Sequence, residues 1–234
     1  MEDGKASTSV NRKLSSLRSF YRFLLRKKEV TVNPMLKVVG PKKKKPLPFF
    51  VREKDMNRLL DEIPFGEGFE GCRDRMILEV FYATGMRLSE LIGLNDVDVD
   101  FSAKLIKVTG KRNKQRLIPF GKELEENLSL YIKVRNEAFP DGAECFFVLK
   151  NGKRMYPMEV YRLVKRNLSK VVSLKKRSPH VLRHTFATAM LNDHAELQSV
   201  KELLGHESLV TTEVYTHATF EELKKVYEQA HPRA

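Results

Sequence analysis

Four residues between positions 180 and 215 have the types and the order to handle a phosphate: His180, Arg183, His206 and Tyr215. In Ser178-Pro179-His180-Val181-Leu182-Arg183-His184, a helix starting after Pro179 puts His180 and Arg183 three residues apart and on one face. Ser199 to Leu204 is a short amphipathic run that stops at Gly205, which predicts a loop carrying His206. Tyr215 supplies a phenol that becomes a nucleophile when neighbouring cations ease its deprotonation. Taken singly, each signal fits something plainer: a solvated His-x-x-Arg helix face, or a half-buried packing tyrosine. The His180/His184 pair has the spacing of a zinc-binding helix, but it lacks a glutamate after the first histidine and a third ligand, so no metal is expected.

A second segment, Tyr82-Ala83-Thr84-Gly85-Met86-Arg87-Leu88-Ser89-Glu90-Leu91, supplies another arginine. An apolar helix from Met76 to Tyr82 runs into Gly85, and a new helix begins near Leu88. Arg87 falls at the junction, and Glu90, one turn on, is placed to hold its guanidinium. The same pattern fits a salt bridge that only fixes a helix corner.

Together ATGMRLSEL, TGKRNKQRLIP, HVLRHTFAT, LLGH and Tyr215 resemble the catalytic domain of the tyrosine recombinases, the phage-integrase and Xer-type family. The resemblance runs from about Asn11 to the C-terminus. It implies a mainly α fold with a small antiparallel β-sheet (α+β) and a site-specific recombinase working through a 3′-phosphotyrosyl intermediate, with no ATP, metal or other cofactor. By resemblance, Tyr215 is the nucleophile, His180 the proton acceptor, Arg87, Arg183 and His206 the groups on the scissile phosphate, and Lys111 the general acid. Glu90 then supports Arg87. Histidine at position 206, where some relatives carry Trp, points to the bacterial branch; by resemblance the protein is expected to be cytoplasmic and nucleoid-associated.

Composition agrees with a polyanionic partner. The 234 residues carry a net charge of +13, which favours nucleic acid, and the lack of a long apolar run excludes a membrane-spanning helix. No small-molecule substrate is implied. The N-terminus opens polar and charged, without a signal peptide. Cys72 and Cys145 lie in apolar stretches with no ligand spacing and read as reduced core thiols.

The elements expected in chain order follow. Residues 1–45 hold 13 Lys/Arg against 3 Asp/Glu. Val10, Leu14, Leu17, Phe20, Tyr21, Leu24 and Leu25 recur at helical spacing, predicting a helix from about Ser9 to Lys28 with one apolar and one basic side. By resemblance this is the last portion of the family's helical core-binding clamp, most of which would be missing. Lys42, Lys43, Lys44 and Lys45, set among Pro41, Pro46 and Pro48, read as an extended linker against phosphates or as a solvated tether. The catalytic domain is expected over 46–234.

Within it a helix around Glu53 to Ile63 and a loop at Gly66 to Gly71 precede the Arg87 segment. Leu105–Thr109 and Arg116–Pro119 read as strands joined by a turn bearing Lys111, Arg112 and Lys114, a tip suited to a DNA groove. Helices over 121–139 and 158–172 flank an expected short strand, Cys145 to Val148. Phe220 to Gln229 forms a terminal helix whose apolar side packs on its own domain or, as the family suggests, on a neighbouring protomer. The implied partners are a double-stranded recombination site and further protomers, four on paired sites, or a related recombinase. Two competing readings share the fold: a type IB topoisomerase-like nicking and resealing enzyme, and a DNA-binding regulator without chemistry. A third is RNA binding.

Overall fold

The computed structural model describes residues 6–42, 49–110, 113–205 and 217–234, and of 217–220 the backbone only. The chain divides into two compact units, Met1–Leu47 and Pro48–Ala234.

In the first unit α1 spans Ser7–Arg26. None of its residues is buried, and Leu17, Phe20 and Phe23 of its apolar side are exposed. The segment after it folds back along the helix: Asn11 Nδ2 donates to Pro41 O at 2.9 Å, and Arg18 to Val38 O at 2.7 Å. Asn33 caps a 3-10 turn, Pro34–Leu36, by accepting from the Met35 amide at 2.9 Å.

The second unit is built around α3, Gly68–Thr84. Residues Met76 to Thr84 are all buried, as a helix apolar on every side must be. It starts inside the stretch expected to be a loop, because Gly66 and Gly68 take the positive φ values and leave Gly71 free to sit within the first turns. Before it comes α2, Glu53–Asn57, running into a π turn at Arg58–Glu62. After it come α4, Leu88–Gly93, and an antiparallel sheet of order β1-β2-β3: Val99–Asp100, Leu105–Thr109 and Gln115–Pro119. Its register pairs Ile106 with Ile118 and Val108 with Arg116. Helices α5, Lys122–Ala138, and α6, Pro157–Leu168, follow, then α7, Pro179–Asn192, α8, Leu197–Leu204, and α9, His217–Ala230. Both α5 and α7 pack on α3.

A further expectation needs correction. Cys145 to Val148 is not a strand; only an isolated bridge joins Val148 to Arg154. Side chains take carbonyls of this stretch, with Tyr131 and Arg135 donating to Phe146 O and Arg73 to Val148 O, while Phe147 O accepts from the Met155 amide at 3.4 Å. The apolar pattern of Cys145-Phe146-Phe147-Val148 reflects burial, which periodicity alone does not separate from pairing. Both cysteines are free, and burial pushes both thiols up. The sequence leaves open whether the terminal helix packs on its own domain or on a neighbour. In the single chain Leu223, Tyr227 and Ala230 of α9 are buried with Phe186, Met190, Val200, Leu203 and Leu204 of α7 and α8, so its apolar side packs on its own domain.

The residues after α9 extend this contact. His231 stacks on Tyr227 and Phe186, with its Nε2 3.1 Å from Tyr82 O and its Nδ1 accepting from the Arg233 amide. Arg233 pairs with Glu123 and Asp61. Burial lowers the His231 pKa from 6.5 to about 4, with a smaller push from Arg233 against the raising effect of the Tyr82 carbonyl. The unfolded chain therefore binds a proton between those pH values that the folded chain refuses. Stability is full above pH 6.5 and falls as pH drops toward 4. Urea denaturation at pH 7 and at pH 4.5 is expected to show about 2 to 3 kcal/mol less acid loss in His231→Gln than in the parent chain. Equal losses in both would place the acid sensitivity elsewhere.

Gly85 ends α3 with φ 58°, its amide bonded to Phe81 O at 3.0 Å. A Cβ here would lie 2.5 Å from Phe186 Cδ1 and 2.8 Å from Leu204 Cδ2. Gly85→Ala combines backbone strain with overpacking and is expected to cost about 2 to 5 kcal/mol, read from the urea midpoint. An unchanged midpoint would show that the α3–α4 corner shifts freely.

Candidate active site

Three arginines meet around the end of α8. Arg87 directly precedes α4, and its amide donates to Glu90 Oε2 at 2.7 Å, so the helix start itself seats Glu90 beneath it. The Arg87 guanidinium then donates through Nη1 to Glu90 Oε1 at 2.8 Å and through Nη2 to Gly205 O at 2.8 Å. Arg183 reaches the same place from α7. Its Nη1 donates to Gly85 O at 2.7 Å and its Nη2 to Leu204 O at 2.6 Å. Arg116, from β3, completes the group with Nε donating to Leu203 O at 2.8 Å. Its two terminal nitrogens grip both oxygens of Glu90, at 2.7 and 2.9 Å. Three successive carbonyls, Leu203, Leu204 and Gly205, thus each accept from a different arginine.

Each contact has a local cause. α8 ends at Gly205 with φ 63°, which turns its last carbonyls outward without partners inside the helix. Guanidiniums from α4, α7 and β3 fill that gap. Pro179 opens α7, where a missing N–H costs nothing, and that start sets the phase that turns Arg183 inward.

The charge balance is uneven. Burial first, and then the positive charges of Arg87 and Arg116, lower the Arg183 pKa to about 10, with Glu90 opposing them. Arg183 still keeps its proton at neutral pH. Burial alone would raise the Glu90 carboxyl, but hydrogen bonds from Arg116 and then Arg87 bring it down to about 2. Three cations therefore face one anion. A guanidinium has five N–H donors, and among the described residues Arg87 spends one from each terminal nitrogen and Arg183 likewise. Donors are left for a planar or tetrahedral oxyanion.

Of the expected site residues, Arg87, Glu90 and Arg183 are brought together. His180 is exposed one turn before Arg183 on α7, as is His184 one residue after it. Lys111, Arg112, His206 and Tyr215 lie outside the described residues, as do Lys43, Lys44 and Lys45. Lys114 is exposed at the end of the hairpin turn, where its carbonyl accepts from the Gly110 amide at 2.7 Å, and Lys42 is exposed in the first unit. Among the described residues no three His, Cys, Asp or Glu side chains are placed to hold a metal ion, and no helix is long and apolar enough to cross a membrane. The sequence reading missed Arg116. The available signal was its position two residues before Ile118, on the strand face that points inward.

Comparison with known proteins follows the same lines. The phage integrase family matches residues 50–222, and the N-terminal SAM-like domain of phage integrases matches residues 1–28. A tyrosine recombinase XerC from Chlorobaculum tepidum is 42% identical over 255 aligned residues, covering 100% of this chain and 76% of that protein. Among solved structures, a XerA recombinase is similar with a TM-score of 0.60 at 28% identity, covering 94% of this chain and 75% of the other. A XerH site-specific recombinase bound to its difH substrate, in a pre-cleavage complex, shares the fold with a TM-score of 0.71 at 23% identity over 94% of this chain and 66% of its own length. With a family match across most of the sequence and a relative aligned over the whole of this chain at 42% identity, the chain belongs to the phage integrase family and is a tyrosine recombinase.

Proposed function

We propose that the chain cleaves and rejoins DNA at a specific site through a 3′-phosphotyrosyl intermediate on Tyr215. One observation carries this reading: Arg87 and Arg183 are fixed on the carbonyls that lead directly into His206, with an excess of positive charge that no described carboxylate cancels.

In this scheme the Tyr215 oxygen attacks the scissile phosphorus, its proton passes to His180, and the bond to the 5′-oxygen breaks. Lys111, from the hairpin between β2 and β3, delivers a proton to that leaving oxygen. A 5′-hydroxyl of a second strand later attacks the phosphotyrosine and restores the phenol. The number of phosphoester bonds is unchanged, so neither ATP nor metal is required. Negative charge growing on the two non-bridging oxygens is met by the Arg87 and Arg183 forks and by His206, held in place beforehand. Glu90 keeps Arg87 in register. Arg112 and Lys114 at the hairpin, together with Lys42, Lys43, Lys44 and Lys45, bind duplex phosphates and carry no sequence information of their own.

The division of labour follows the two ends of the chain, residues 1–45 acting as part of a clamp with its basic linker and 46–234 as the catalytic domain. Strand exchange calls for four protomers on paired duplex sites, with α9 the exchanged element, and it requires α9 to leave the apolar seat it has in the single chain. The setting is the bacterial cytoplasm, on the nucleoid. The test is incubation with nicked duplexes carrying candidate sites in the presence of EDTA. An SDS-resistant protein–DNA adduct is the expected product. Tight duplex binding with a verified cognate site and no adduct would favour a regulator of the same fold.

A further inference from the structure

We propose that Arg116 is a positioning residue for strand cleavage, fixing Glu90, and through it Arg87, against the end of α8. The inference rests on the catalytic reading above and adds a residue to it.

Strand β3 alternates, with Arg116 and Ile118 facing inward and Gln115 and Leu117 outward. The inward position opposite Val108 would ordinarily hold an apolar side chain. Arg116 is buried there, and the Glu90 side chain it meets is wholly inaccessible. Taking such a pair out of water costs several kcal/mol, and a well-packed apolar pair would serve the fold as well or better. What an apolar pair cannot do is hold Arg87. Glu90 Oε1 accepts from Arg116 Nη1 at 2.7 Å and from Arg87 Nη1 at 2.8 Å, so one oxygen ties the two guanidiniums together. The Nε of Arg116 is bonded to Leu203 O, one residue before the carbonyl held by Arg183 and two before the carbonyl held by Arg87. Gly205 packs so closely that an added Cβ would lie 3.1 Å from Arg116 Cδ. One side chain therefore links three parts of the site: the strand leaving the Lys111 hairpin, the Glu90–Arg87 pair and the α8 terminus leading to His206. If Arg116 shifts, Arg87 loses the oxygen against which it is aimed.

The experiment is single-turnover cleavage by the full chain, parent, Arg116→Gln and Arg116→Lys, on nicked duplexes with either a normal phosphodiester or a methylphosphonate at the scissile position. The methylphosphonate has one non-bridging oxygen replaced by a methyl group and carries no charge, so aimed arginine donors matter less to it. Measured at saturating protein and at a temperature where each variant remains folded, both are expected to lose about 100-fold on the phosphodiester, the order of cost of misplacing a catalytic group by about 1 Å. On the methylphosphonate the loss is expected to shrink to about threefold, because less charge needs stabilising. An equal loss on both substrates would make Arg116 a fold residue only and overturn the proposal. If Arg116→Gln does not fold, Arg116→Lys decides by the same comparison, since it keeps the charge and loses the fork. Failure of both variants to fold would also overturn it. A parent chain that does not cleave the phosphodiester overturns the catalytic reading instead.

Discussion

Arg183→Ala is expected to slow formation of the covalent adduct by about a hundredfold to a thousandfold, the usual cost of losing one preorganised donor at a transition state. Arg183 is buried, permanently charged and fixed by Gly85 O and Leu204 O, with donors left over for the phosphate. The alanine variant also strands those two carbonyls, at about 1 to 3 kcal/mol for each one that stays buried. Rate and stability must therefore be measured together. Arg183→Lys refines the result: it retains a cation but not the two-pronged geometry, and its rate is expected to lie much nearer the alanine variant than the parent. Single-turnover cleavage at saturating protein reads the rate, and thermal melting reads the fold. A variant with parental rate and lowered melting temperature would show that Arg183 only pins the α3–α4 corner to α8.

Tyr215→Phe is expected to abolish the adduct, by about ten-thousandfold or more, while leaving duplex affinity unchanged. The change removes one oxygen and no charge. A free phenol, with a pKa of about 10, is a poor nucleophile at neutral pH, so the reaction depends on the cations around the phosphate and on proton acceptance by His180. For that reason His180→Gln is expected to slow cleavage without erasing it, whereas loss of the nucleophile leaves no route to the intermediate. An undiminished adduct in Tyr215→Phe would mean that another side chain attacks.

Much of the frame around the arginines was legible because it rests on local chemistry. Gly85 and Gly205 both take the left-handed conformation expected of helix stops, and Pro179 opens α7 where a proline can. The strands at Leu105–Thr109 and Gln115–Pro119 match the change in period within a residue. Glu90 sits three residues after Arg87, and that spacing placed its carboxylate correctly. What escaped the sequence depends on contacts between distant parts of the chain. Arg116 looks like one more cation of a basic hairpin until β3 is paired and its inward face meets Glu90. The carbonyls of Leu203 and Leu204 have no side-chain signature at all. Cys145 to Val148 has strand composition, but its carbonyls accept from the side chains of Tyr131, Arg135 and Arg73, and its Phe146 amide donates to Leu94 O, none of which a local pattern reveals. The cis packing of α9 is likewise undecided by its own apolar stripe, which fits a seat on either the same chain or a neighbour.

The most direct test of the central claim is mass mapping of the adduct itself. The chain is trapped on a nicked duplex in EDTA, digested with nuclease and protease, and the modified peptide is sequenced. A single site of attachment is expected, a 3′-nucleotide phosphate on Tyr215. Attachment to any other residue, or an adduct that forms only when divalent metal is restored, would contradict it.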